Sequence, residues 1–179
     1  MSTDSNRLVR NGSRRALVRI IATSPFALSL AACLDKSADD YVASAKRYIS
    51  KRDHAAATIE LRNAIQKTPK HAEARFLLGT MLLEQGAPGT AEMEIRRAIE
   101  LGKDGDDVRL ALATTLFRAG NVAGLISEFS SRTFSEPEKD TALRMLLGNA
   151  YLVRGAKNEA LIAFDRVLGS NPNHDGALL

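Results

Sequence analysis

Few side chains in this sequence are equipped for chemistry. The single thiol, Cys33, is the strong nucleophile, and His54, His71 and His174 are the groups able to move a proton near neutral pH. One cysteine allows no internal disulfide, and no cysteine–histidine spacing suits zinc. The acidic run Asp104-Gly105-Asp106-Asp107 is too short for a calcium loop, which needs liganding acids in alternation over a longer stretch. It reads instead as a loop and a helix start, where carboxylates are favoured by the helix dipole. No Ser-His-Asp order, glycine-rich phosphate loop or HExxH occurs. The three histidines fall at expected inter-helix turns, where satisfied or solvated imidazoles are the ordinary outcome. These residue types imply no enzyme, no metal, no cofactor and no small-molecule substrate. The chemistry that remains is modification of Cys33 itself.

The residues around that thiol support such a modification. Five arginines (Arg7, Arg10, Arg14, Arg15, Arg19) precede an apolar stretch of 13 residues, 20–32, which is too short for a comfortable membrane span. The stretch ends in Leu30-Ala31-Ala32-Cys33, which resembles the lipobox of bacterial lipoproteins. Small residues there let an extended backbone enter a peptidase, and the thiol accepts a diacylglycerol. The resemblance implies a signal peptide at 1–32, cleavage before Cys33 and a lipidated tether at 33–37. Each buried methylene of an acyl chain contributes about 0.8 kcal/mol, so two or three chains anchor the protein stably. Leu34, rather than aspartate, follows the cysteine. By resemblance to enterobacterial sorting this favours the outer over the inner membrane, on the periplasmic side. Ser13-Arg14-Arg15-Ala16-Leu17-Val18-Arg19 resembles a twin-arginine export signal, and general secretion stays open beside it.

The formal net charge of +4 does not argue for nucleic acid. Of 25 basic and 21 acidic residues, five arginines and Asp4 precede Cys33, so the remainder carries equal numbers of each sign. A neutral mature chain lacks the electrostatic footprint of a DNA or RNA binder.

What must position any binding surface is an internal repeat. Arg75-Phe76-Leu77-Leu78-Gly79 answers to Arg144-Met145-Leu146-Leu147-Gly148, and Gly86, Gly120 and Gly155 recur at intervals of about 34 residues. The first repeat, 38–71, supplies Ala45, Tyr48, Ala57, Leu61, Ala64 and Pro69, with Arg52 where the others have glycine. The second, 72–105, supplies Gly79, Leu82, Gly86, Ala91, Ile95 and Ala98, with Lys103 in place of the proline. The third, 106–140, supplies Ala113, Leu116, Gly120, Phe129 and Pro137. It carries one extra residue and places Leu125 and the charged Arg132 at small-residue positions. The fourth, 141–174, supplies Gly148, Tyr151, Gly155, Ala160, Phe164, Val167 and Pro172.

These residues resemble the tetratricopeptide repeat (TPR), which implies an all-α superhelical solenoid of antiparallel helix pairs. Small residues at repeat positions 8 and 20 let the paired helices approach. Bulky ones at 11 and 24 fill the gap between neighbours, and the glycine near 15 ends the first helix. The expected helices are 39–51, 54–67, 72–85, 88–101, 106–118, 122–132, 138–154 and 157–168. Residues 171–179 resemble 68–76, so 175–179 reads as the start of a fifth repeat in a longer protein.

In the TPR fold, positions 2, 5, 9, 12 and 13 of each first helix line the concave face. The resemblance carries that role onto Val42 and Ile49, onto Phe76, Thr80 and Leu83, onto Leu110, Thr114 and Phe117, and onto Met145, Asn149 and Leu152. The lysine and asparagine set that clamps a peptide carboxylate in chaperone-binding TPRs is not present in register. An apolar stripe instead suits a protein or peptide partner, either an amphipathic helix or an extended apolar segment. Packing of the same side chains within the solenoid is the competing explanation.

A longer run, Ala72 to Gly79 followed by Leu82-Leu83-Glu84-Gln85-Gly86, Ala91-Glu92 and Ile95 to Gly102, resembles the TPR-repeat lipoprotein of the PEP-CTERM/exosortase system, the PrsT family. That resemblance implies a periplasm-facing scaffold in exopolysaccharide production or protein sorting. A pilotin-like or outer-membrane-assembly-like TPR lipoprotein, or the TPR part of an enzyme whose catalytic domain lies past residue 179, are the alternatives.

Overall fold

The structure, a computed structural model, describes residues 36–170, 172 and 174–177. The leader, Cys33 and the tether up to residue 35 lie outside the described residues, as do Leu178 and Leu179. Eight α-helices follow one another: α1 (Ala38–Ser50), α2 (His54–Lys67), α3 (Ala72–Glu84), α4 (Pro88–Glu100), α5 (Asp106–Arg118), α6 (Val122–Phe129), α7 (Pro137–Val153) and α8 (Lys157–Ser170), then a 3-10 turn at Asp175–Ala177. The described residues contain no strand. None of the helices is long and apolar enough to cross a membrane.

The local chemistry explains where these helices begin. Ser37 and Asp40 form a capping box on α1, with Asp40 N donating to Ser37 Oγ at 3.1 Å and Ser37 N to Asp40 Oδ2 at 3.0 Å. Asp53 Oδ1 and Asn121 Oδ1 cap α2 and α6 in the same sense. Pro88 and Pro137 occupy first-turn positions of α4 and α7, where a missing N–H costs nothing. His71 caps α3: its Nδ1 accepts from Ala74 N at 3.2 Å, so Nε2 carries the proton and donates to Asp39 Oδ1 at 2.9 Å. This histidine is structural, and it ties the start of α3 to the start of α1.

Packing follows the repeat frame. Ala57, Ala91, Leu125 and Ala160, at position 20, are completely buried, as are Leu61, Ile95 and Phe129 at position 24. One apolar cluster joins α1, α2 and α3; a second runs from Ile95 through α5 and α6 to Leu143, Leu147 and Ala150. A third gathers Ala160, Phe164 and Val167 of α8 around Ala177. Ala177 sits there as Ala74 sits among Ala57, Leu61 and Ala64.

Seven of the eight helices lie within two residues of the expected spans. The exception is α6, which was expected over 122–132 and stops at Phe129. Arg132 therefore never occupies a helical position 27, the place that Ala64, Ala98 and Val167 fill in the other second helices. A long cation could not enter that contact without losing its hydration. The chain instead leaves the helix and buries Phe134. Its backbone is held by polar groups: Arg144 Nη2 donates to Arg132 O, and Phe134 N donates to Asp140 Oδ1.

Candidate functional site

Each first helix, α1, α3, α5 and α7, presents its position 5, 9 and 12 residues on one side, because steps of three and four residues return to one helix face. The structure places the eleven expected groove residues unequally. Val42 and Leu83 are buried, with 6% exposure each, and offer a partner almost no surface. Ile49, Phe76, Thr80, Leu110, Thr114, Phe117, Met145 and Asn149 are half-buried. Leu152 is exposed. Phe76, Leu110 and Phe117 pack partly against the central apolar cluster, so part of the stripe is engaged internally. The hydroxyls of Thr80 and Thr114 donate to Leu77 O and Leu110 O of their own helices, which leaves mainly their methyl groups to face outward.

Charge enters this face at Lys46 and Glu73, and at Lys103, which the repeat pattern did not flag. Glu73 receives Lys46 Nζ at 2.9 Å and Lys103 Nζ at 2.6 Å, joining the first helices of the first two repeats. Burial pushes the Glu73 carboxyl up, but hydrogen bonds from Lys103 and Lys46 outweigh it and hold the group below its ordinary value. Lys103 also lies 5.2 Å from the centre of the Phe76 ring. Lys103 is the residue that replaces the motif proline. The signal that could have found it is that departure, since a lysine free of the proline constraint can reach back over α3.

Asp104 and Asp106 play different parts. Asp104 is held at about 2, chiefly by a hydrogen bond from Arg109, whose Nε and Nη2 lie 2.7 and 2.8 Å away. Asp106 Oδ2 accepts from Ser135 N and Oγ, each at 2.6 Å, and from Glu136 N at 3.2 Å, so it caps the approach to α7 rather than its own helix. Among the described residues no three histidine, cysteine, aspartate or glutamate side chains converge as metal ligands would.

On the other side of the molecule, Ile59, Met93 and Ile162 at position 22 of α2, α4 and α8 are more than half exposed. Two furrows open beside Met93 and Ile162. Between them, Arg96 bridges Glu92 at 2.8 Å and Glu128 at 3.1 Å and ties α4 to α6.

Residues 42–106 match the family model of the tetratricopeptide repeat. Over 79% of this chain and 72% of the other, the structure superposes on YrrB, described as a TPR protein with an unusual peptide-binding site, with a TM-score of 0.70 at 21% identity. The fold is a TPR solenoid. The same array is similar to MamA (TM-score 0.67, 16% identity, 78% of this chain and 76% of that one). It is also similar to PilF of Pseudomonas aeruginosa (TM-score 0.65, 20% identity, 78% of this chain), of which it spans 64%. No curated protein matches the sequence. TPR folds serve as interaction scaffolds.

Proposed function

We propose that this chain is an exported, lipid-anchored TPR scaffold that binds an apolar peptide or amphipathic helix along the first helices of its repeats. The observation that carries the reading is the recurrence of half-buried apolar side chains at equivalent positions of successive first helices: Phe76, Leu110, Phe117 and Met145, flanked by the methyl groups of Thr80 and Thr114. A row spaced by the repeat suits an elongated ligand better than a compact one. A peptide-binding site in the similar YrrB array supports the same use of the fold. The Cys33 lipobox resemblance supports attachment to a membrane facing the periplasm. The run from Ala72 to Gly102 supports a place beside exopolysaccharide production or PEP-CTERM protein sorting.

The test uses groove-filling changes at side chains that do not belong to the core. Thr114→Arg with Asn149→Arg should weaken capture of the partner by about tenfold or more, since two desolvated cations would have to be buried, and should leave helical circular dichroism unchanged. Capture undiminished in a folded double variant would remove the groove. In the same cells, Cys33→Ser should abolish labelling by radioactive palmitate; retained label would place acylation elsewhere.

A further inference from the structure

Position 4 of the first helix is an arginine in three of the four repeats: Arg75, Arg109 and Arg144. Each uses one edge of its guanidinium to hold the loop in front of its own helix. Arg75 donates from Nε and Nη2 to Pro69 O at 2.9 and 2.7 Å. Arg109 donates from the same two nitrogens to Asp104. Arg144 donates from Nη2 to Arg132 O at 2.5 Å and from Nε to Asp140 Oδ2 at 3.3 Å.

In the second and third repeats the remaining nitrogen, Nη1, turns toward position 23 of the second helix. There Arg75 Nη1 donates to Glu94 Oε2 at 2.7 Å, and Arg109 Nη1 lies 3.7 Å from Glu128 Oε1. In the fourth repeat position 23 is Ala163. Arg144 Nη1 has no hydrogen-bond partner among the described residues, although the residue is only 4% exposed. That nitrogen is not one of the fully buried atoms left without a partner, so water reaches it and an arriving acceptor would take that water's place. The first repeat shows the converse mismatch. Glu60 stands at position 23 with Tyr41 at position 4, and Glu60 Oε2 is buried without a hydrogen-bond partner.

A pocket of about 180 Å³ opens at Ala163, bordered by Arg144, with Leu147, Tyr151 and Ile162 as apolar wall. Arg166 and Glu159 also border it, and their charges offset each other. The equivalent furrow of the second repeat is lined by Glu94, while Arg75 does not reach it. The arginine is thus covered by a carboxylate where the glutamate exists, and borders the opening where it does not.

We propose that this pocket between α7 and α8, beside the end of α6, is a carboxylate-binding site in which an acidic side chain of an apolar peptide takes the place that Glu94 and Glu128 hold in the repeats before it. It involves a different face of α7 from Met145, Asn149 and Leu152, so it stands apart from the groove proposed above. Bidentate geometry is not required, because the loop contacts already fix the guanidinium plane and leave one nitrogen to donate.

The experiment titrates the full chain with acetyl-Leu-Glu-Leu-amide, its glutamine counterpart, acetyl-Leu-Leu with a free carboxyl terminus, and isovalerate. Arg144 Nε–H chemical shifts and calorimetry report binding. The glutamate peptide should bind about tenfold more tightly than the glutamine peptide. Ala163→Glu should supply the missing carboxylate internally, remove that binding and raise the thermal midpoint. Equal binding of the glutamate and glutamine peptides to the unaltered protein overturns the proposal, and that comparison needs no variant to fold. Undiminished binding to a folded Ala163→Glu protein overturns it too. Tighter binding of the free-terminus peptide keeps the site and reassigns its occupant to a chain end. Binding of isovalerate as strong as that of the glutamate peptide overturns the peptide in favour of a small acid.

Discussion

The ring of Phe164 occupies the space that a side chain on Gly148 would need: a β-carbon built there overlaps Cε1, Cζ and Cδ1 of the ring. The pair recurs two repeats earlier, where a β-carbon on Gly79 would lie 2.5 Å from Ile95 Cγ1 and 3.1 Å from Ala91 O. Small residues at position 8 therefore set how closely the two helices of a repeat approach. Gly148→Ala and Gly79→Leu should each destabilise the protein by about 1–3 kcal/mol through overpacking. Gly169→Ala, in α8 with nothing within 4 Å of the new methyl, should stabilise it by about 0.5–1 kcal/mol through the higher helix propensity of alanine. Urea unfolding of the three variants checks the contrast; a uniform response would remove the close approach as its cause.

Arg52 has φ +59°, the left-handed conformation that Gly86, Gly120 and Gly155 adopt at the same repeat position with φ between +73° and +77°. The turn between paired helices imposes that backbone whatever residue the sequence provides. An L-residue with a Cβ pays about 1–2 kcal/mol for it, and glycine returns part of that through its freer unfolded state. Arg52→Gly should raise stability by about 1 kcal/mol, and Gly155→Ala should lower it by a similar amount. Chemical denaturation of both, fitted with equal slopes, is the measurement.

Asp104 gives stability a pH signature. Its carboxyl is held at about 2 against an ordinary 3.8 by the Arg109 hydrogen bond. A depressed carboxylate favours the folded state at every pH above its unfolded value and loses that contribution as pH falls toward its folded value. Arg109→Gln should therefore be less stable than the unaltered protein at pH 5–7, and the gap should close between pH 4 and 2. The effect is modest because the carboxylate faces solvent, and added salt should shrink it. A gap independent of pH would assign the loss to the packing of the Arg109 stem.

Most of the fold was legible because the repeat recurs in the residues themselves: Gly86, Gly120 and Gly155 mark the turns, and small and bulky residues return at fixed positions between them. The end of α6 was not, because it depends on Arg132 being unable to fill a buried position and on Arg144, twelve residues later, receiving the chain that leaves the helix. The binding face was legible as a stripe of positions. How much of each side chain remains available was not, since Val42 and Leu83 are covered by neighbours that periodicity does not reveal. The arginine–glutamate pairs did leave a trace, a spacing of nineteen residues in Arg75–Glu94 and Arg109–Glu128, but a motif defined by apolar residues passes over it.

Asp106 grips the backbone at Ser135 and Glu136 across a segment that carries one residue more than its counterparts. Past that grip Leu143, Leu147 and Ala150 return to fully packed places, as if the extra residue had not been inserted. The carboxylate thus acts as a length buffer. Slack accumulates in the exposed elbow and is not handed on, so a repeat can gain a residue, and with it a differently shaped outer edge, while the units on either side stay in phase.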